Sequence, residues 1–302
     1  MIDLHTHSNH SDGSDSPAEL AVKAADAGLS AVALTDHDTT DSAEEFAQAG
    51  ASRGVEAVTG VEISLIDTEH PRPSGPRSVH VLAYFCPLDA GSPLQRLLAR
   101  MRDDRVRRNR ALLESLHELG FTRLTYDDLV ARAHHEQSVG RPHFAAAMFE
   151  LHPEIVGEPG PDTWRRLFDE WLGDRGRAYR PKTDLTIEDA VAAAAGTGTV
   201  FSIAHPHLNY LDQPTIDAAS AVLPGVVASL AERGFAGVES YYGGLRPEMR
   251  SLLARIARDA RMVPTGGSDY HGLFKEDVYL GIGPARDLSV PDAVLDELKA
   301  RR

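Results

Sequence analysis

Short apolar runs alternate with helix-period patterns over the first ninety residues. Ile2–His5, Ser30–Thr35, Val55–Leu65 and Val79–Phe85 are apolar, partly β-branched runs that predict strands. Ser16-Pro17-Ala18-Glu19 has the spacing of a capping box with proline at the first helical position. It predicts a helix running to about Ala27, with Gly28 as its stop. Ser42–Arg53 predicts a second helix. Asp67–Ser78 holds three prolines and a glycine and predicts a loop.

That rhythm breaks between about Ser92 and Thr183. Gln95–Leu119 is one long helical pattern closed by Gly120, and Tyr126–His134, Pro142–Leu151 and Thr163–Leu172 are further helical segments. The stretch reads as an all-helical insertion. From Thr186 the alternation resumes, with strands expected at 199–204, 237–240 and 262–265, each preceded by a helical pattern, and a last helix from about Pro291. Strand–helix alternation on both sides of the insertion predicts an α/β fold with a parallel sheet. Seven candidate strands suggest a TIM-like barrel, with an open doubly wound sheet as the alternative. The domain expectation is a barrel from 1–91 and 184–302, with 92–183 as a helical insertion capping the active site.

Composition narrows the function classes. The chain has 302 residues and a net charge of −14. That balance excludes general DNA coating, because nonspecific affinity comes from cations on phosphates. It leaves room for a nucleotide or strand end held by local arginines. No apolar run approaches the ~18 residues of a membrane span, and the N-terminus shows no basic segment followed by an apolar one. A single cysteine, Cys86, excludes an internal disulfide and any paired-cysteine zinc site. The expectation is a cytoplasmic enzyme. The seven arginines between Arg96 and Arg110 do not keep one helical face and have no interleaved aromatic residue for base stacking. Arginine outnumbers lysine 27 to 4 chain-wide, so a solvated helix is the expectation there.

The fourteen histidines carry more information, because they gather in short polar motifs at the ends of the expected strands. His5-Thr6-His7 follows the first strand and Asp36-His37-Asp38 the second. Glu62 and His80 lie in the next two, and His205-Pro206-His207 and Asp269-Tyr270-His271 follow later ones. In a β/α barrel such positions converge on the C-terminal face. His-x-His on extended chain places both imidazoles on one side. His5, His7, Glu62 and Asp269 make a mixed nitrogen–oxygen set suited to Zn, Fe or Mn.

These motifs resemble the PHP (polymerase and histidinol phosphatase) family. The resemblance is carried by Asp3-Leu4-His5-Thr6-His7-Ser8, Ser11-Asp12-Gly13, Leu34-Thr35-Asp36-His37-Asp38, Gly60-Val61-Glu62, His80, Ala204-His205-Pro206 and Gly267-Ser268-Asp269-Tyr270-His271. It covers about 1–86 and 198–272 and implies a distorted (β/α)7 TIM-like barrel with two or three divalent metal ions. It implies a first ion on His5, His7, Glu62 and Asp269, a second on Glu62, His80 and His205, and a third on Asp12, His37 and His271. Some members carry histidine where Asp12 stands.

The insertion and Gly140-Arg141-Pro142-His143 resemble a subgroup that removes the 3′-phosphate of 3′,5′-nucleotide bisphosphates; some members also trim short RNA from its 5′ end. The resemblance implies Arg141 and His143 as contacts to phosphate or ribose, with Lys182 a further candidate. Asp269 and Glu62 are the expected catalytic centre, and His207 is a candidate proton donor to the leaving group. The expected reaction is hydrolysis of a nucleotide phosphate monoester by a metal-bridged hydroxide. The alternatives are a 5′–3′ exoribonuclease on short RNA, a histidinol-phosphate-type phosphatase and a noncatalytic metal-binding module. Expected partners are a phosphorylated nucleotide or a short RNA 5′ end, and phosphate, with no membrane.

Overall fold

The computed structural model describes residues 1–302 apart from Ser74, His134, Asp174, Arg175 and 181–184. Strands β1 (Ile2–Thr6), β2 (Ala31–Leu34), β3 (Glu56–Arg72), β4 (Gly75–Tyr84), β5 (Val200–Ile203), β6 (Gly237–Tyr242) and β7 (Val263–Gly267) form one sheet in chain order. β7 returns beside β1, where the Asp269 N–H donates to His5 O and the His7 N–H to Tyr270 O, both at 2.9 Å. The sheet is therefore a nearly closed seven-stranded barrel of the distorted (β/α)7 kind.

Local chemistry explains the flanking elements. Helix α1 (Pro17–Asp26) starts with the expected capping box, Ser16 accepting from the Glu19 N–H and Glu19 from the Ser16 N–H. Helix α2 (Ala43–Arg53) ends at Gly54, which takes a left-handed conformation. Both helices bury one face on β2, through Leu20, Ala24 and Phe46 against Val32 and Leu34. A second core gathers Ile2, Leu4, Ala33, Val58, Leu82, Tyr84, Val200 and Val263 from six strands. Val290, Val294 and Leu298 join that core, and the Ile2 N–H bonds to Val290 O at the start of β1. The N-terminal end of the barrel is thereby filled, and the opposite end is left for chemistry.

Two features depart from the sequence reading. β4 runs antiparallel to both β3 and β5, while the remaining pairs are parallel. No helix separates β3 from β4, so the chain turns straight back, and a hairpin can only pair antiparallel. Most of the proline-rich stretch is also strand, at 67–72 and 75–78, pairing Asp67 with Arg77 and Arg72 with Gly75 across a register shift. That irregularity lets Pro71, Pro73 and Pro76, which lack N–H donors, sit in a ribbon.

The chain divides into two compact units, Met1–Leu98 with Asp184–Arg302 and Ala99–Thr183. The division falls inside α3 (Pro93–Glu118). The second unit is helical among its described residues: α4 (Tyr126–Ala133), α5 (Arg141–Leu151), α6 (Pro153–Val156) and α7 (Pro161–Leu167), with a π-turn at Phe168–Leu172. Leu116, Phe121, Phe144, Met148 and Trp171 anchor its own core. The barrel unit continues with α8 (Ile187–Ala194), α9 (Pro206–Tyr210), α10 (Ile216–Glu232), α11 (Pro247–Asp259) and α12 (Ala293–Lys299). Among the described residues, no helix is long and apolar enough to cross a membrane.

Candidate metal centre

Six of the seven strands deliver the nine candidate ligands to one place. β1 carries His5 and leads into His7 and Asp12; β2 leads into His37; β3 and β4 carry Glu62 and His80. β5 runs into His205, and β7 into Asp269 and His271. His205 has φ 24° and Asp269 φ 57°. Both are non-glycine residues in left-handed backbone, strain of about 1–3 kcal/mol each that the surrounding fold must hold. Register shifts in β1 between Asp3 and Thr6, and in β6 between Glu239 and Tyr241, redirect the side chains there.

Glu62 lies at the centre. Its Oε2 is 3.2 Å from His5 Nε2, 3.2 Å from His7 Nε2 and 3.3 Å from His37 Nδ1. Its Oε1 is 2.9 Å from His80 Nδ1 and 3.0 Å from His205 Nε2. Asp269 Oδ1 faces His5 and His7 at 3.5 and 3.4 Å. Asp12 sits among His7, His37 and His271 at 3.5, 3.5 and 3.3 Å. Four overlapping groups result, each with ligand atoms within 4.8 Å of one another: His7, Asp12, His37 and His271; His5, Glu62 and His205; His5, His7 and Asp269; His37, Glu62 and His80.

Several carboxylates that the sequence reading did not place in the site hold this arrangement. Buried Glu239 bonds His5 Nδ1 at 2.7 Å with one oxygen and accepts the His205 N–H at 2.6 Å with the other. The bond to Nδ1 turns His5 Nε2 toward the cluster. Asp3 accepts from the backbone N–H groups of His5, Ser268 and Gly281 and from the Ser268 hydroxyl. Asp36 accepts from the Ser8 N–H and from the hydroxyls of Ser8, Ser11 and Ser42. Glu239 is hidden in the sequence because it lies inside a strand with no histidine beside it. The available signal was a carboxylate in the middle of the apolar run Gly237–Ser240.

The electrostatics are those of a site built for cations. Burial alone would raise Glu62, Asp12 and Asp269, but the imidazoles around them hold all three well below the ordinary carboxylate range. Burial pulls His7 down, yet Asp269, Glu62 and Asp12 outweigh it and raise it to about 9. His5 is likewise raised well above its usual value against burial, by Glu239, Glu62 and Asp269. His37, where burial prevails, falls to about 3.

Hydrogen bonding alone does not satisfy this cluster. His7 Nε2 and His37 Nδ1 are buried without a hydrogen-bond partner, although each is close to a carboxylate oxygen. Ring nitrogens beside carboxylate oxygens, without hydrogen-bond geometry, fit shared divalent cations. The donor set suits Mn, Fe or Zn.

The remaining candidates fall in different places. His207 is buried on α9, where burial and His205 lower it to about 4. Its ring lies 5.2 Å from that of Tyr242. Tyr242 reaches the centre, donating its hydroxyl to Asp269 Oδ2 at 2.9 Å, and Lys275 bonds the same oxygen at 2.6 Å. Tyr241 packs against the barrel core instead. Arg141 and His143 belong to the helical unit, in the first turn of α5. Arg141 donates to Leu172 O at 3.4 Å and lines a small crevice with Arg108 and Arg180. His143 is buried, and its Nδ1 accepts the Gly140 N–H at 3.0 Å, capping the helix. Lys182 lies outside the described residues.

Residues 3–163 match the family model described as the PHP domain. The chain is 30% identical over 281 residues to a phosphoribosyl 1,2-cyclic phosphate 1,2-diphosphodiesterase of Eggerthella lenta, covering 92% of this chain and 97% of the relative. It is 28% identical over 271 residues to a 3′,5′-nucleoside bisphosphate phosphatase of Chromobacterium violaceum, covering 89% and 87%. A crystal structure from Bifidobacterium adolescentis, assigned as a metal-dependent phosphoesterase, superposes with a TM-score of 0.77 at 27% identity, over 99% of this chain and 96% of that one.

Proposed function

The chain belongs to the PHP family and is a metal-dependent phosphoesterase, and from that premise we propose that its substrate is a nucleotide phosphate monoester, the 3′-phosphate of a 3′,5′-nucleoside bisphosphate. The observation that carries this reading is the convergence of four ligand groups on one end of the barrel. Its support at the level of substrate is the likeness to the bisphosphate phosphatase of C. violaceum.

His5, His7, Glu62 and Asp269 would hold a first divalent ion, Glu62, His80 and His205 a second, and Asp12, His37 and His271 a third, each set joined by the carboxylate–imidazole approaches above. Bound ions supply a nucleophile at neutral pH and a clamp on phosphoryl oxygens. The protein's own part is positional. Glu239 fixes the His5 tautomer, and Tyr242 with Lys275 pins one oxygen of Asp269 so that the other faces the imidazoles. His207 is a neutral ring at neutral pH. As a proton donor it would require the charge of a bound phosphate beside it to draw its proton affinity upward. Arg141 and His143 are the proposed contacts to the remainder of the substrate.

A second reading is favoured by the likeness to the cyclic phosphodiesterase of E. lenta: a cyclic phosphodiester of a ribose phosphate as substrate. The deciding experiment follows phosphate release from adenosine 3′,5′-bisphosphate by Mn²⁺-loaded protein, with the cyclic ester and short 5′-phosphorylated RNA in parallel. Fast release from the bisphosphate, lost in Asp269→Asn together with bound metal, supports the first reading. Turnover of the cyclic ester alone replaces it with the second, and a preference that grows with RNA length replaces both with an exonuclease.

A further inference from the structure

Beside the metal centre the barrel unit holds a recess of about 750 Å³. Its inner wall is the pair of rings from His207 and Tyr242. Tyr242 is also the residue that bonds Asp269, and its ring lies 5.9 Å from that of His205. The recess and the candidate ligands therefore share a wall. Leu208, Ile216, Leu245 and Met249 are among the residues that line the rest of it. Leu208 and Ile216 stay 53% and 42% exposed at its rim. Holding two large aliphatic side chains in water beside an active site is the pattern of a binding surface.

The charges lining the recess are one cation, Arg246, and one anion, Glu248. The lining therefore carries no net formal charge. Its volume lies within the range of small-molecule sites, about 300–1,000 Å³. A neutral, planar, largely apolar group joined to a phosphate at the metal centre would meet two aromatic rings and an aliphatic rim.

We propose that this recess between α9, the start of α10 and the start of α11 binds the base of the nucleotide, with Tyr242 and His207 as its stacking wall. This rests on the nucleotide reading above and deepens it: the phosphate is held by the cluster, and substrate class is selected by the recess.

The test compares KM for adenosine 3′,5′-bisphosphate with KM for glycerol 2-phosphate, which has no base, using Mn²⁺-loaded wild type, Ile216→Glu and Leu208→Glu. A carboxylate placed in the aliphatic rim sets a charge where the base would lie, so either variant should raise the bisphosphate KM about tenfold more than the glycerol phosphate KM. Adenosine alone should inhibit wild-type hydrolysis of glycerol phosphate competitively and lose that effect in both variants, a readout independent of the second phosphate. Equal KM changes for the two substrates, or no inhibition by adenosine while the bisphosphate is still turned over, would overturn the recess and leave the nucleotide reading standing. Turnover of glycerol phosphate with none of the bisphosphate would overturn both.

Discussion

At the scale of single residues, the centre is organised by how carboxylates divide their two oxygens. Glu62 gives one oxygen to His5, His7 and His37 and the other to His80 and His205. Glu239 gives one to His5 and one to the backbone of His205. Glu239→Gln leaves one oxygen where two were needed. It should weaken Mn²⁺ affinity about 10–100-fold with little change in melting temperature, measured by competition with a chelating dye. Proton linkage gives a second prediction. Without metal, His7 is raised to about 9 and His5 is raised also, so both carry protons at pH 7. A ligating imidazole must be neutral, so metal binding releases those protons. Affinity should rise with pH between 7 and 9, about tenfold per unit for each proton displaced. Calorimetry in buffers of different ionisation enthalpy counts the protons; an affinity flat across this range would contradict the assignment of His7 as a ligand.

At the scale of elements, the strand ends do the positioning, and one close approach lets them. In β7 a Cβ on Gly267 would lie 2.4 Å from the backbone nitrogen of His5. Only glycine lets β7 come so near β1. Gly267→Ala should lower the melting temperature by roughly 2–10 °C, the effect of about 1–3 kcal/mol of overpacking, and should weaken metal binding. Gly225→Ala within α10 is the control, because a methyl there meets nothing within 4 Å. It should be neutral or slightly stabilising.

The same elements show what is legible in sequence. Apolar runs ending in His, Asp and Glu mark β1, β2, β5 and β7 and the polar residues that follow them, because alternation of strand and helix leaves a periodic trace. The antiparallel β4 leaves no such trace; its direction follows from a missing helix between two strands. The ribbon around Pro71, Pro73 and Pro76 is hidden because prolines signal a loop unless a register irregularity accommodates them. Glu239, Asp3 and Asp36 are hidden for another reason. They act on the ligands and the backbone around them: Asp36 ties the segment after β1 to the segment after β2, and the contacts of Glu239 and Asp3 exist only after the barrel nearly closes.

At the scale of the molecule, a chain of net charge −14 has to receive an anion. Bound cations reverse the local field at the centre, and the arginines of the helical unit are the proposed source of further positive charge. Arg141 shares its crevice with Arg108 and Arg180. Arg141→Ala should raise KM for a 3′,5′-bisphosphate about 10–100-fold, the loss of one charge-assisted phosphate contact, and leave KM for an aryl phosphate nearly unchanged. Steady-state kinetics on both substrates decides it; equal effects would remove Arg141 from substrate recognition.

The meeting of β7 with β1 also sets an order of events during translation. His271 follows His5 by 266 residues. At about 5–20 residues per second, a ribosome needs roughly 13–53 s to make that stretch. Over that interval the nascent chain presents its early imidazoles with no Asp269 to complete the first ligand set. Full metal loading is therefore a late step of biogenesis, and a growing polypeptide still on the ribosome lacks a completed phosphoesterase centre.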